Sequence, residues 1–377
     1  MKRLCIFMDG TWQNLYQLVP TNIARLAESV AHSDKDGVEQ LIYYDKGVGA
    51  GAVASKSWSN HVISGVTGAG LEDTLLNAYL FLCWNYVPGD QIYIFGFSRG
   101  AFTARSLCGL IRNAGSLHRV NADQARGAFQ LYRERQHPDV EKAQQFRKDY
   151  SHDPVPITYL GVFDTVGQRG VPSNFGPLAN LWNRRWQFHD TKLSSLVRAA
   201  RHACALDEVR GVFPVTPWEN LDERNAEQGF SPADPKAPYQ QRWFPGSHGE
   251  IGGGVDSKLP NIAMQWIAEG AARAGLSFTA EKCPLATSLL PENLDPYYAL
   301  LPNTGLLSMG FKSYRKLKAY TRKVKPDAAD VSLYLSDAAL ARWRSGDMSP
   351  PYRPKSLKKL AKLIDDLHEQ AAKKTDA

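Results

Sequence analysis

The chain has 377 residues, 43% of them hydrophobic and 22% charged, so it can bury a large core in one big α/β domain or two smaller ones. No apolar run nears the roughly 20 residues of a bilayer-spanning helix, and Asp9 interrupts the opening residues too early for a signal peptide; the expectation is a globular protein made in the cytoplasm, any export using a route that reads no cleaved N-terminal signal. The net charge of +7 favours anionic partners, while five scattered cysteines with no Cys-x-x-Cys pair read as buried free thiols and call for no metal or cofactor.

In chain order, residues 4–8 read as a buried strand that runs out in the loop Asp9-Gly10-Thr11-Trp12. Thr21 can then cap a helix carrying Ile23, Leu26 and Ala27. Residues 40–44 form a second strand, followed by the glycine-rich loop 47–51. That loop has room for a phosphate, but no Gly-Lys-Ser/Thr follows it, so a nucleotide-binding P-loop is not supported. A helix over 71–86 and the turn Pro88-Gly89-Asp90 lead into the run Ile92, Ile94 and Phe95, which enters Gly96-Phe97-Ser98-Arg99-Gly100. This is Gly-x-Ser-x-Gly, the nucleophile-elbow pattern, in the required strand-to-helix setting. A serine hydroxyl must be lifted clear of the backbone by a tight turn, and Gly96 and Gly100 provide the clearance. Phe102, Leu107, Leu110 and Ile111 share one face of the following helix, which Gly115 can end.

Residues 157–163 give another buried strand, ending at Asp164-Thr165-Val166-Gly167. An aromatic-rich insertion follows at 175–188. Its Trp182 and Trp186 suit a lid or an acyl-chain wall, and Arg184 and Arg185 suit lipid phosphates. Residues 242–244 are a short extended piece before Pro245-Gly246-Ser247-His248, and 262–274 form the last amphipathic helix of the core. Basic residues then crowd together, from Lys312 through Arg315, Lys316, Lys318, Arg322 and Lys323 to Lys325, and again at Lys355, Lys358, Lys359 and Lys362. They suit phosphate-bearing surfaces, either anionic lipid or nucleic acid. Leu357, Leu360, Leu363, Ile364 and Leu367 form an apolar stripe that should dock on the body of the protein. The alternation of strands and helices predicts a mostly parallel sheet with helices on both faces, and the serine elbow makes the expected fold α/β-hydrolase-like, with a small lid-like insertion at 170–195. Residues 1–310 form the catalytic domain in this reading, and 311–377 a basic extension packed on or flanking it.

A serine nucleophile on such a sheet needs an acid and then a histidine, in that chain order. Asp164 stands where its strand runs out, the edge at which these sheets present functional side chains. His248 lies in a glycine-rich loop whose backbone can approach a reacting centre. The triad Ser98, Asp164 and His248 would carry acyl transfer, with oxyanion donors from the Arg99 backbone amide and from the Gly10-Thr11 loop. Asp9-Gly10-Thr11 also matches the end of the aspartate-phosphatase signature, but Phe7 stands where that nucleophile would be.

The sequence resembles the α/β-hydrolase family of formerly unknown function that contains the type VI secretion phospholipase effectors. The likeness is carried by Phe7-Met8-Asp9-Gly10-Thr11-Trp12 with Thr21-Asn22, by Tyr43-Tyr44-Asp45-Lys46-Gly47-Val48-Gly49, and by the segment from Gly96 to Arg105. It continues through Phe163-Asp164-Thr165-Val166-Gly167, His202-Ala203-Cys204-Ala205-Leu206-Asp207-Glu208 and Trp243-Phe244-Pro245-Gly246-Ser247-His248, and Tyr352-Arg353-Pro354 looks like the family's final strand region. The resemblance implies a Ser-Asp-His ester hydrolase of membrane glycerophospholipids, with secretion or immunity partners. One departure stands out: relatives usually have His-x-Asp-Val-Gly-Gly where this chain has His248-Gly249-Glu250-Ile251-Gly252-Gly253. Two rival readings are a carboxylesterase for small soluble esters and a noncatalytic module that binds nucleic acid or a membrane surface through the basic C-terminal region.

Overall fold

The structure is a computed structural model that describes residues 1–10, 13, 17–47, 69–134, 137–167, 191–210, 213–231, 234–279, 334–345, 351–366 and 369. Its strands are β1 (Arg3–Met8), β2 (Gln40–Asp45), β3 (Gln91–Phe97), the two-residue β4 (Ser116–Leu117) and β5 (Ser151–His152), β6 (Tyr159–Phe163), β7 (Ala200–Ala205) and β8 (Tyr239–Phe244). Six of them form one sheet in the order β2-β1-β3-β6-β7-β8 with every pairing parallel, while β4 and β5 pair antiparallel. The helices are α1 (Asn22–Ser29), α2 (Ala69–Asn85), α3 (Arg99–Ala114), α4 (Ala125–Arg133), α5 (Glu141–Tyr150), α6 (Leu221–Glu227), α7 (His248–Gly252), α8 (Leu259–Arg273) and α9 (Asp337–Arg344).

Strand alternation sorts the apolar residues into two layers. Leu4, Ile6, Met8, Ile92, Ile94, Leu160 and Val162 face α2, α3 and α4. Cys5, Phe7, Tyr93, Phe95, Tyr159 and Phe163 face α1 and α8, with Phe7 stacked on Phe95 at 4.7 Å. Covering both faces is what permits an all-parallel sheet, and it explains the unbroken burial of β1, β6 and β7. The strand order reverses between β1 and β3. The helix after β1 therefore packs on one face and the helix after β3 on the other, and the loops leaving these two adjacent strands part to open a crevice.

His248, expected in a glycine-rich loop, begins the short helix α7, and two further segments differ from the sequence expectation. β7 reads Ala-Arg-His-Ala-Cys-Ala, with two polar residues and no β-branched one, and carries no strand signal. It is buried nonetheless because its polar groups are satisfied inside. The Arg201 guanidinium lies over the Trp266 ring and donates to the Trp266 carbonyl, and the His202 ring is bonded at both nitrogens. At the β8 edge of the sheet, Tyr352-Arg353-Pro354 forms no strand. Leu335 instead makes a single parallel bridge to Trp243, and the Ser336 amide donates to the Trp243 carbonyl at 2.9 Å.

The apolar stripe docks on the body as expected. Leu357, Leu360 and Ile364 are buried with Leu206, Trp243 and Trp343, and Lys355, Lys358, Lys359 and Lys362 point to solvent. Leu367, the basic run 312–325 and most of the 170–195 insertion lie outside the described residues. Cys5, Cys83, Cys108 and Cys204 are buried and form no disulfide; burial pushes the Cys5 thiol up to about 12 and Cys83 up to about 11. No described helix is long and apolar enough to cross a membrane.

Candidate active site

The chain turns sharply at the end of β3. Ser98 has φ 58° and ψ −119°, and α3 starts at the next residue. A Cβ on Gly96 would sit 2.5 Å from the Gly100 carbonyl oxygen, and one on Gly100 would sit 2.1 Å from the Met8 carbonyl oxygen and 2.5 Å from that of Asp9. The second glycine therefore lets the elbow press against the end of β1. Gly100→Ala should remove about 2–3 kcal/mol of stability, because its obstacles are backbone atoms of a central strand that cannot rotate away. A lowered urea midpoint at unchanged m-value measures this; a midpoint equal to wild type contradicts such close packing.

The elbow is also tied to β6: the Ser98 amide donates to the Phe163 carbonyl at 3.0 Å. Asp164, the next residue after Phe163, has φ 40°. Ser98 and Asp164 are the two non-glycine residues with positive φ among those described, so backbone strain concentrates where the functional side chains are presented. Asp164 Oδ1 accepts the Ala205 amide at 2.8 Å and Oδ2 accepts His248 Nδ1–H at 2.6 Å. A carboxylate only accepts, so the proton of the neutral ring sits on Nδ1. Nε2 is left to accept from Ser98 Oγ, 2.8 Å away. The structure thus brings Ser98, Asp164 and His248 into one buried hydrogen-bonded chain.

Groups that the sequence did not single out for these contacts hold this chain in place. Glu208, just past β7, accepts the His248 backbone amide at 3.1 Å and grips Arg210 through both carboxylate oxygens. Burial would raise its carboxyl, but the Arg210 pairing and the accepted amides outweigh that and hold it below the usual range. Arg210 lies 4.5 Å over Phe213, which stacks on the His248 ring at 4.8 Å, and Phe97 packs on the same ring at 4.7 Å. The Thr165 amide donates to His202 Nε2 at 3.1 Å, so His202 carries its proton on Nδ1, facing Gln241 Oε1 at 2.9 Å. That network fixes the turn behind Asp164. Glu250 completes a capping box, accepting the Ser247 amide at 2.7 Å, and so serves the first turn of α7.

Asp9 organises the loop after β1. Its carboxylate accepts the Gly10 amide at 2.7 Å, the Thr21 hydroxyl at 2.6 Å and the Tyr44 hydroxyl at 2.7 Å, while burial raises it against these three donors. The Gly10 amide thus donates to Asp9 in this structure, where the sequence reading places it among the oxyanion donors; the carboxylate of the adjacent residue is a charged and therefore strong acceptor. Asn22 donates to the carbonyls of Ile251 and Pro260, tying α1 to the histidine segment. These bonds supply the physical content of the Thr21-Asn22 and Tyr43-Tyr44-Asp45 motifs. Arg99 begins α3, and burial brings its guanidinium down to about 10, still charged at neutral pH. Thr11, Trp182, Arg184, Arg185 and Trp186 lie outside the described residues. A cavity of about 900 Å³ runs along α3 past Phe102, Ser106 and Gly109 towards Phe129; Ser98, Asp164 and His248 are not among its described lining residues.

A parallel sheet carrying a serine on a strained elbow after β3, an acid after β6 and a histidine after β8 defines an α/β-hydrolase. The chain belongs to the family of type VI secretion phospholipase effectors described as the Tle1-like catalytic domain, whose model matches residues 2–270. It is also 32% identical over 230 residues to the uncharacterised protein YEL023C of Saccharomyces cerevisiae, covering 56% of this chain and 32% of that one. Among solved structures it is similar to an uncharacterised protein from Pseudomonas aeruginosa (TM-score 0.41, 19% identity, 78% of this chain and 48% of that chain). It is also similar to the Tle1 effector bound to the VgrG spike of the type VI secretion system (TM-score 0.39, 19% identity, 68% and 52%). The chain spans 32% of the yeast relative and about half of each of these two structures.

Proposed function

We propose that the protein is a serine ester hydrolase acting on membrane glycerophospholipids, with Ser98 as nucleophile, His248 as general base and acid, and Asp164 as the group that orients the imidazole. The observation that carries this reading is the continuous hydrogen-bonded chain from Asp164 through His248 to Ser98. Ser98 Oγ attacks the ester carbonyl carbon as its proton passes to His248 Nε2, and the carbonyl π electrons move onto oxygen. When the tetrahedral species collapses, the C–O bond to the lysolipid alkoxide breaks and His248 returns the proton to that oxygen. A water deprotonated by His248 then attacks the acyl-enzyme, releasing the fatty acid and restoring Ser98. The proposed oxyanion donors are the backbone amides of Arg99 and Thr11, since Gly10 donates to Asp9. Loss of one such donor costs about 3 kcal/mol of transition-state stabilisation.

In this reading residues 1–310 are the catalytic domain, with the 170–195 insertion as lid, and 311–377 the basic extension. Trp182 and Trp186 wall the acyl chains, Arg184 and Arg185 meet lipid phosphates, and the basic residues of the extension contact an anionic membrane. The effector family supports export by a signal-independent route and a partner in the secretion machine; synthesis in the cytoplasm and an immunity partner belong to the same proposal. A fluorophosphonate probe should label the folded protein once, at Ser98, as located by peptide mass spectrometry. Mixed phospholipid vesicles should yield free fatty acid and lysolipid at a rate well above that for monomeric short-chain esters. Labelling at another residue overturns the nucleophile assignment; fast turnover of short esters with no gain on vesicles overturns the lipid assignment in favour of a soluble carboxylesterase.

A further inference from the structure

His248 is carried by a short helix entered through the turn Pro245-Gly246-Ser247, and that turn is gripped by the two consecutive carboxylates beyond β7. Glu208 takes the His248 amide. Asp207 takes the turn itself: its amide donates to the Gly246 carbonyl at 3.1 Å, and its Oδ2 accepts the Gly246 amide at 2.8 Å. Gly246 has φ 126°, and a Cβ there would lie 2.9 Å from the Glu250 Cβ, so the turn has a single tight conformation to be held in. A second donor reaches the same Asp207 oxygen from far along the chain: the Tyr352 hydroxyl, at 3.0 Å.

Tyr352 is itself locked in place. It is buried in the small cluster formed by Trp243, Leu335, Trp343 and Leu357, with the buried Arg342 guanidinium 5.4 Å over its ring. Ser356 Oγ donates to the Leu206 carbonyl at 3.0 Å, so the same segment also grips the residue before Asp207. Burial pushes the Asp207 carboxyl up to about 7 and Glu250 adds to the rise, while Gly246, Tyr352 and Arg342 favour the carboxylate. A carboxylate this exposed to opposing influences is held by its donors, and one of the two comes from beyond the 2–270 family match.

We infer that Tyr352 and Asp207 are positioning residues that set the Gly246 turn and thereby hold His248 in register with Ser98 and Asp164, which makes the C-terminal segment an integral part of the active site. This inference rests on the serine-hydrolase reading. Neither residue touches the reacting atoms; each acts through the backbone that carries the imidazole. Because both bonds converge on one oxygen, an asparagine at 207 keeps an acceptor for both donors, whereas alanine keeps none.

The test uses the full chain and a soluble chromogenic ester, with active sites counted by fluorophosphonate titration. Tyr352→Phe and Asp207→Ala should lower kcat per titrated site by about tenfold with KM within twofold, against roughly a hundredfold for a 1 Å misplacement of a reacting group. Asp207→Asn should recover most of what Asp207→Ala loses. Loss confined to the number of titratable sites, with wild-type kcat at each one, overturns the inference and leaves a folding role alone. A second readout needs no turnover: the downfield proton resonance of His248 Nδ1–H, identified by its disappearance in His248→Ala, should shift or broaden in Tyr352→Phe. An unchanged resonance overturns the positioning role even if the protein hydrolyses no ester, whereas absence of Ser98 labelling in wild type overturns the hydrolase reading instead.

Discussion

Ser98→Ala is expected to reduce fatty-acid release from phospholipid vesicles by about 10⁴-fold or more, while leaving folding and vesicle binding intact. The size follows from the chemistry. Alanine removes the atom that forms the acyl bond, and His248 Nε2 then has no polarised hydroxyl at 2.8 Å to deprotonate. What remains is water attack assisted by the oxyanion donors. The substitution is structurally mild, because Ser98 makes its elbow contacts through its backbone amide to Phe163 and its carbonyl to Phe102. Its strained φ of 58° is a property of the turn and is retained with alanine. Product mass spectrometry on matched amounts of both proteins decides the matter. Equal lysolipid from wild type and Ser98→Ala would remove Ser98 from the mechanism, and loss of function only on charge reversal in the basic C-terminal region would favour a noncatalytic binding module.

Asp164→Asn should cost about 10⁴-fold in kcat, the known scale for losing the correct histidine tautomer. Here the direction of the amide is dictated by the structure. The Ala205 amide donates to Oδ1 at 2.8 Å, so the asparagine oxygen must turn towards Ala205 and its NH₂ towards His248 Nδ1. Nδ1 is then an acceptor, the ring proton moves to Nε2, and Nε2 can no longer take the proton of Ser98. Thermal midpoints should stay close because shape and bonding partners are preserved. A decline of less than tenfold, in a variant shown to be folded, would mean that Asp164 does not set the tautomer.

Much of the site was legible because its signals are local. Glycines on either side of Ser98, an apolar run before it and helical periodicity after it are all read between Ile92 and Ile111, and the structure needs the two glycines for steric clearance. Asp164 was legible as a strand end and His248 as a histidine in a glycine-rich loop. β7 was not legible, since its Arg201 and His202 are compatible with burial only through partners at Trp266, Thr165 and Gln241. Asp9 was legible only as the residue at which the first strand runs out. Its role in holding Gly10 depends on parallel register, which sets Phe7 beside Tyr44 and Met8 beside Asp45 and so brings the Tyr44 hydroxyl to its carboxylate.

The sequence by itself determined the fold class, the elbow and the chain order of nucleophile, acid and histidine, because apolar period and glycine clearance act between near neighbours. Only the tertiary structure decided that Asp164 and His248, 84 residues apart, and His248 and Ser98, 150 apart, meet at hydrogen-bonding distance. It alone decided that Gly10 donates to Asp9, that Glu250 caps a helix, and that Tyr352 reaches Asp207 across 145 residues. The physical reason is the same throughout. A polar side chain announces that it needs a partner, and only the packed sheet, by stacking parallel strand ends side by side, chooses which partner comes within 3 Å.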